Sequence, residues 1–404
     1  MIRSVRCTEP RSCELAWASD VSQPGVYFTY EAMPGRVVFG VGAARTRIAE
    51  ELDRLGARRL LLLAGEREES RARDITREVA DRVVGVFSGV RPHVPIEVAD
   101  QACARAASAG ADALLSVGGG STTGTAKAVA LTTGLPVVAV PTTYAGSEMT
   151  PVWGLTAGGH KTTGTDRAVL PRVVIYDPEL TASLPPGLSA VSGLNAMAHC
   201  VEAFWAPGRN PISSLLGEAA IRALKTALPL VVADGADIGA RSDALYGAYL
   251  AGSAFAVAGS GLHHKICHVL GGAFDLPHAE THAVVLPYVL AFNAASAPRA
   301  ASRIAAALGA DDAARGLWDL CRDLGVPRSL RKLGLRKEQL EEVVGSMYAV
   351  IPPDNPRAIG EDALRRLLAA AWAGEEPDHN PIESHGRLLS AHGERVGDGD
   401  VGHG

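Results

Sequence analysis

The amino-acid sequence predicts an α/β domain built on a parallel sheet, followed by an all-α domain. Short, continuous apolar runs alternate with stretches of helical periodicity as far as residue 177, a pattern typical of strands buried on both faces of a parallel sheet. Beyond residue 178, apolar residues recur at helical spacing instead. A chain of 404 residues is also too long for one compact core, so two domains are expected.

The first domain is expected to span residues 26–180 and to contain five strands. Each predicted strand is a short apolar run bounded by glycine, proline or polar residues. These strands are predicted at residues 36–42, 59–65, 113–117, 136–140 and 172–177, with helices at 43–55, 68–84, 96–109 and 125–131. The alternation indicates helices on both sides of the sheet, and such sheets bind ligands outside the carboxyl ends of their strands.

The second domain is expected to span residues 181–374. Pro185 and Pro186 precede long stretches at helical spacing. Nine helices are predicted, at residues 187–206, 212–233, 240–258, 262–271, 279–292, 296–308, 312–324, 336–347 and 360–373. Residues 1–25 show no clean period and are predicted to form a poorly ordered leader. Residues 375–404 are polar and rich in glycine, so a disordered tail is predicted.

Charge and cysteine usage limit the possible partners. The formal net charge is −5, so no basic field is expected to recruit nucleic acid. No apolar run has membrane-spanning length, and the first residues lack the apolar core of a signal peptide. Six cysteines are scattered without the spacing of a zinc site or a disulfide scaffold, which favours a reduced, cytoplasmic setting.

A glycine-rich loop follows the third predicted strand. Residues 118–124 read Gly-Gly-Gly-Ser-Thr-Thr-Gly and lead into a predicted helix. Backbone N–H groups at a helix N-terminus, with no Cβ atoms in the way, form an anion site that suits a pyrophosphate. The loop does not match the G-x-G-x-x-G fingerprint of dinucleotide-binding folds, and a plain tight turn is the alternative interpretation.

A second polar loop, residues 141–148, follows the next strand and is rich in hydroxyl groups. Thr142, Thr143 and Ser147 offer hydrogen bonds to a ribose, a phosphate or a carboxamide. Alternatively, Ser147 is a helix N-cap. Lys161 lies in a polar stretch further on, where it either reaches a phosphate or is an ordinary exposed lysine.

Five of the twelve histidines lie within residues 261–282, and a sixth lies upstream. The five are His263, His264, His268, His278 and His282, and the sixth is His199. Residues 264 and 268 are four apart, so on a helix they share one face. A break is expected around residues 275–277, and a second helix is expected to begin at residue 278. Histidine is the commonest metal ligand and titrates near neutral pH, so this density predicts a functional site. A set of hydrogen-bonded structural histidines is the alternative.

Five stretches in this order resemble the iron-containing (group III) alcohol dehydrogenase superfamily, which shares its fold with dehydroquinate synthase and glycerol dehydrogenase. They cover residues 34–40, 117–124, 139–151, 192–199 and 262–282. Within the superfamily, the sequence of these stretches is similar to that of the maleylacetate reductases. The resemblance runs from about residue 28 to about residue 372, and it implies NADH or NADPH in a cleft between the two domains.

The resemblance also implies which residues hold the cofactor. Those expected at the pyrophosphate are Gly118, Gly119, Gly120, Ser121 and Thr122, and those expected to line the rest of the cofactor are Thr142, Thr143, Ser147 and Lys161. Gly65 lies at the end of the second strand, where Glu66 favours NADH and Arg67 accepts the 2′-phosphate of NADPH, so use of both is expected. A homodimer is expected for the family.

The sequence departs from the metal-dependent members of the family at one position. Those members bind a divalent ion through an Asp and three His, and the corresponding residues here are Asn195, His199, His264 and His278. A neutral amide is a poorer ligand for a transition metal than a carboxylate. A metal is therefore not expected. If one binds, the three histidines are its expected ligands.

The resemblance implies reduction of the carbon–carbon double bond of maleylacetate, a small dicarboxylate, to 3-oxoadipate in the degradation of aromatic compounds. Hydride addition would leave an enolate, which the site must stabilise and protonate. The expected catalytic residues are His268 and His264, with His199 and His278 as anion partners, and the expected substrate-binding residues are His282, Asn195 and Lys265. The alternatives are a metal-dependent alcohol or polyol dehydrogenase, a lyase similar to dehydroquinate synthase, and a non-catalytic nucleotide-binding protein.

Overall fold

A computed structural model describes residues 28–33, 35–158 and 160–378, with the backbone alone at residues 160 and 161. The predicted leader lies outside the described residues, and so does the tail from residue 379. The limits proposed for the two domains stay predictions.

The sheet of the first domain has six parallel strands in the order β1-β8-β5-β4-β2-β3. They are β1 (Arg36–Phe39), β2 (Leu60–Leu63), β3 (Val83–Phe87), β4 (Ala113–Gly118), β5 (Val137–Pro141) and β8 (Val173–Tyr176). Every residue of β2, β4, β5 and β8 is buried, as their continuous apolar sequences predict. The parallel sheet expected from the sequence is confirmed.

Helices cover both faces of this sheet, because successive side chains of a strand point to opposite sides. They are α1 (Ala43–Leu55), α2 (Glu69–Ile75), α3 (Ile96–Ala109) and α4 (Gly120–Thr133). Leu60 and Leu62 of β2 join one apolar cluster with α1 and α2, whereas Leu61 and Leu63 join another with α3 and α4.

The predicted helix at residues 68–84 is wrong beyond its first half. Helix α2 ends at Ile75, a 3₁₀ helix follows over Arg77–Arg82, and Val83–Phe87 forms β3 at the edge of the sheet. Within the 3₁₀ segment, Val79 leaves the helical region with φ −122° and ψ 22°, so helical geometry does not continue to residue 84. The sequence Val-Val-Gly-Val-Phe has the β-branched and aromatic residues that favour a strand.

An antiparallel hairpin between β5 and β8 was also missed. It consists of β6 (Val152–Ala157) and β7 (His160–Thr165), paired over six residues. Gly164 is needed there, because a Cβ atom at this position would lie 2.5 Å from the Trp153 ring.

The second domain is helical, and the structure confirms the nine predicted helices. They are α5 (Pro186–Glu202), α6 (Pro211–Ala233), α7 (Ile238–Ala258), α8 (Leu262–Phe274), α9 (His278–Ala294), α10 (Pro298–Leu308), α11 (Ala313–Asp323), α12 (Gln339–Val350) and α13 (Glu361–Ala373). Ala139, Val174 and Tyr176 of the sheet share one apolar core with α5, α6 and α7, so the two halves pack directly on each other. Among the described residues, no single helix is long and apolar enough to cross a membrane, and α7 with α8 meets that test only as a pair bent by 99°.

Candidate active site

Two polar loops lie side by side where β4 and β5 end. Gly118 and Pro141 are register partners at the carboxyl ends of these strands. The Thr142 N–H donates to the Gly118 carbonyl at 3.1 Å. Each loop follows its strand, as the sequence predicts, and the structure brings the two together at one edge of the sheet.

Glycine is required in the first loop because side chains approach its backbone closely, from the second loop at Gly119 and from α4 at Gly118. A Cβ atom on Gly119 would lie 2.9 Å from Thr143 Cγ2, and one on Gly118, whose φ is +155°, would lie 2.4 Å from Thr122 Oγ1. Gly119 is the N-cap of the 14-residue helix α4 and offers no side-chain cap. Gly119, Gly120 and Ser121 are only half-buried. A helix N-terminus with uncapped amides and solvent access fits a pyrophosphate.

A buried lysine fixes the second loop from beneath. Lys127 of α4 is fully buried, and its Nζ donates to the carbonyls of Ser147 (2.5 Å), Thr150 (2.7 Å) and Val152 (2.8 Å). Burial lowers the pKa of this ammonium to about 7, against the opposing charge of Glu148. Ser147 is not the N-cap of the short helix Ser147–Met149, since Gly146 takes that position. Sequence reasoning missed Lys127, although a lysine inside the apolar stretch Ala126–Ala130 was the available signal.

Two other residues predicted at the cofactor lie further along the chain. The Gly65 carbonyl accepts the N–H groups of Glu68 and Glu69, each at 2.9 Å, so it starts the turn into α2. Glu66 and Arg67 are exposed beside it. Lys161 lies on β7, and its side chain is outside the described residues.

The six predicted histidines form one cluster between α5, α8 and α9. Ring centroids lie 4.9 Å apart for His199 and His264, 4.9 Å for His264 and His282, and 4.4 Å for His278 and His282. His268 lies 6.0 Å from His264 and 6.3 Å from His278. The break predicted before residue 278 makes this possible, because α8 ends at Phe274, α9 begins at His278, and the two helices share one apolar cluster.

A chain of close polar contacts connects this cluster with the hydroxyl-rich loop. His199 Nε2 contacts the Ala145 carbonyl at 3.2 Å, and His199 Nδ1 contacts His264 Nε2 at 2.9 Å. His264 Nδ1 in turn contacts Glu202 Oε2 at 2.5 Å. Glu202 was missed from the sequence. Its position three residues after His199, on the same face of a helix, was the available signal.

The cluster has a closed side and an open side. His199, His263, His264 and His282 are buried, whereas His268 is half-buried and His278 is exposed. Burial lowers the pKa of His199, His263 and His282 well below the ordinary value, and neighbouring imidazoles add to the shift. These three are therefore uncharged near pH 7 and serve as hydrogen-bond partners.

A cavity of about 180 Å³ opens on the exposed side. Its lining residues are His93, Thr156, Cys267, His268, Gly271, Gly272, Asp275 and His278. Solvent therefore reaches His268 and His278 from a pocket between the hairpin and α8.

His93 belongs to this pocket and was not identified from the sequence. His93 and Val94 have φ values of 60° and 48°, and Asp275 across the pocket has φ 51°. Such conformations are costly for residues other than glycine and tend to occur at functional sites. His93 Nε2 lies 3.7 Å from Asp275 Oδ1. No spacing pattern in the sequence connects these two residues.

Comparison with known proteins identifies the family. The model of the iron-containing alcohol dehydrogenase family matches residues 34–178, and that of the family's C-terminal part matches residues 189–372. A maleylacetate reductase of Sphingobium indicum is 49% identical over 350 residues, which cover 87% of this chain and 99% of that protein.

The chain belongs to the iron-containing alcohol dehydrogenase family. It is therefore an oxidoreductase. The crystal structure of maleylacetate reductase from Agrobacterium tumefaciens superposes with a TM-score of 0.83 at 45% identity, covering 88% of this chain and 100% of that one. That of sulfoacetaldehyde reductase from Bifidobacterium kashiwanohense, in complex with NAD+, superposes at 0.80 with 26% identity, covering 86% and 99%. The fold and the resemblance predicted from the sequence are confirmed.

At the position where a metal-binding Asp is expected from the resemblance, this chain has the uncharged side chain of Asn195. Asn195 of α5 is 5% exposed, and its Oδ1 has no hydrogen-bond partner among the described residues. The neighbouring His199 already contacts a carbonyl through Nε2 and His264 through Nδ1. An amide oxygen is a weaker ligand for a transition metal than a carboxylate, so these four side chains fit a divalent ion less well than an Asp and three His.

Of the two remaining residues predicted to bind substrate, His282 lies in the cluster. His282 Nδ1 lies 2.9 Å from His263 Nε2, so His263 braces it, in agreement with a structural role for His263. Cys267 Sγ lies 3.7 Å from the same His263 nitrogen and is buried, as expected for a small core residue. Lys265 is half-buried on α8, one residue beyond His264.

Proposed function

We propose that this protein reduces the carbon–carbon double bond of maleylacetate to 3-oxoadipate, with NADH or NADPH as reductant, in the degradation of aromatic compounds. The observation that carries the proposal is the contact of His199 with the Ala145 carbonyl. It brings the loop suited to a nicotinamide cofactor against a histidine cluster in which an amide takes the place of a metal-binding carboxylate. Relatives at 49% identity named maleylacetate reductase support the substrate.

The cofactor residues have distinct tasks. Gly118, Gly119 and the start of α4 would hold the pyrophosphate, because backbone N–H groups approach it without Cβ atoms. Thr142, Thr143 and Ser147 would supply hydroxyl groups to the rest of the cofactor. When bound, NAD(P)H supplies the hydride that adds to the alkene carbon β to the ketone.

The histidines would manage the charge and the proton of the reaction. His268 lines the cavity and is half-buried, so it can donate a proton to the carbon α to the ketone and regain one from water. His264 and His199 form one hydrogen-bonded pair, and an N–H group of this pair would exchange its present acceptor for the ketone oxygen as negative charge develops there. His278, His282, Asn195 and Lys265 would orient the two carboxylates of the substrate.

No metal is needed in this scheme. Conjugate addition places the negative charge on an oxygen that N–H donors can stabilise, whereas alcohol oxidation gains strongly from a Lewis acid on the hydroxyl. The amide of Asn195 suits the first reaction. We also propose a homodimer and a cytoplasmic location, which follow the family expectation and the scattered cysteines.

The test follows NADH absorbance with maleylacetate, with and without EDTA, on protein whose metal content has been measured. Sustained oxidation in EDTA supports the proposal. Activity that requires added Fe²⁺ or Zn²⁺, with simple alcohols as substrates and none with maleylacetate, would instead assign a metal-dependent alcohol dehydrogenase.

A further inference from the structure

Glu202 ends helix α5 and is fully buried, with its carboxylate directed at the start of α8. Its Oε2 accepts the N–H of Gly261 at 2.7 Å, and its Oε1 accepts the N–H of His263 at 2.6 Å. These amides lie at the beginning of α8, whose N-cap, Gly261, has no side chain to cap them. Glu202 therefore caps α8 from a neighbouring helix, where the helix dipole also favours a negative charge.

The same carboxylate has a third donor. His264 Nδ1 lies 2.5 Å from Glu202 Oε2. Since the two backbone amides can only donate, the carboxylate acts as the acceptor, and the hydrogen of the third contact belongs to His264 Nδ1. His264 Nε2 is then the nitrogen that faces His199 Nδ1 at 2.9 Å. His199 and Glu202 lie one turn apart on α5, so one helix provides both partners of this imidazole.

We propose that Glu202 is a positioning residue for the reaction: by accepting from Nδ1, it fixes the tautomer and ring orientation of His264, and with them the His264–His199 pair. The expected loss of activity rests on the proposed function, whereas the orientation of His264 by Glu202 does not. Removal of a carboxylate that orients a functional histidine costs about 10–100-fold in activity where it has been measured for metal-ligating histidines.

Glu202→Gln separates this role from simple packing, because glutamine has the same size but one oxygen becomes an NH₂ donor. In either orientation, the NH₂ group of the glutamine faces a donor. It faces the His263 N–H in one orientation, and both the Gly261 N–H and His264 Nδ1 in the other. The second orientation forces His264 into the other tautomer or breaks the contact. Glu51→Gln is the matched control, since Glu51 is 1% exposed and pairs with Arg36 at 2.7 Å in the first domain.

The kinetic experiment measures kcat and KM for maleylacetate and the dissociation constant of NADH for both variants. We expect Glu202→Gln to lower kcat about 10–100-fold with NADH binding unchanged. We expect Glu51→Gln to leave kcat as in the unsubstituted protein. A Glu202→Gln protein with normal kcat would overturn the proposal, and so would an equal loss in both variants.

A second measurement tests the proposal even if the variant fails to fold or maleylacetate is not the substrate. Long-range ¹H–¹⁵N spectra of the unsubstituted protein, assigned by comparison with His264→Gln, report which nitrogen of His264 carries the hydrogen. A protonated, pyrrole-type Nδ1 that is lost in Glu202→Gln supports the proposal. A pyridine-type Nδ1 in the unsubstituted protein, or an unchanged tautomer in a folded Glu202→Gln protein, overturns it.

Discussion

Replacement of Asn195 by aspartate should create the metal dependence that, in our proposal, the protein lacks. The side chain is 5% exposed, its Oδ1 has no partner among the described residues, and it lies one helical turn before His199. Without an ion, the new carboxylate is a buried charge next to His199, whose pKa burial lowers well below its ordinary value. An uncompensated buried charge of this kind costs about 3–5 kcal/mol of folding free energy.

A divalent ion should reverse that loss. In the Asn195→Asp protein, the donor set combines a carboxylate with His199, His264 and His278, which suits Zn²⁺. A ligand present at about 100 times its dissociation constant stabilises the folded state by about 2.7 kcal/mol. For a domain of this size, that corresponds to a rise in Tm of about 5–10 °C.

Thermal unfolding with and without Zn²⁺ measures the effect. We expect Asn195→Asp to have a lower Tm than the unsubstituted protein in EDTA and to recover with zinc, while the unsubstituted protein responds little. Asn210→Asp is the matched control, since Asn210 is equally buried and is the N-cap of α6. An aspartate oxygen also accepts the N–H groups that Asn210 Oδ1 accepts, and only the Nδ2 contact with the Gly208 carbonyl is lost. An equal zinc response in all three proteins would refute the argument that the amide excludes the ion.

Three further substitutions test individual parts of the site. His268→Ala should lower kcat for maleylacetate by about 100-fold or more, since general acid catalysis contributes about 10²–10⁴-fold. Near-normal turnover would remove this residue from proton transfer. Gly119→Ala should weaken NADH binding, measured by fluorescence titration, because its Cβ atom would lie 2.9 Å from Thr143 Cγ2. Gly345→Ala is the control, because a Cβ atom at this position would meet nothing within 4 Å outside its own helix. This variant should bind NADH normally. His93→Ala should raise KM for maleylacetate more than it lowers kcat, because His93 lines the cavity beside His268 and His278 rather than the loops suited to the cofactor. A loss confined to kcat would contradict that position.

The parts of the site that the sequence predicts are those set by local chemistry. The continuous apolar runs of β4 and β5 identify buried parallel strands, and strands of one parallel sheet end at the same edge. The two polar loops that follow must therefore meet. The histidines at i, i+4 spacing and the break before His278 likewise predict that several imidazoles converge.

The remaining parts depend on contacts between distant residues, which have no local signature. Glu202 reaches His264 across 62 positions of the chain, and its carboxylate resembles any other at the end of a helix until α8 packs against it. His93 joins the pocket only because its loop folds over Thr156 of the hairpin, whose Oγ1 donates to the His93 carbonyl at 2.8 Å. The edge strand β3 was missed because the sequence before it begins as the helix α2, which ends at Ile75 instead of continuing to residue 84.

The most direct test of the central claim is the destination of the hydride. The protein, treated with EDTA, is given maleylacetate and NADH deuterated on the transferred position, and the product is examined by NMR. The proposed reaction predicts 3-oxoadipate with deuterium on the methylene carbon β to the ketone, next to a carboxylate. Deuterium on a newly formed carbinol carbon would show that the ketone is reduced instead, and no transfer without an added metal ion would equally contradict the account.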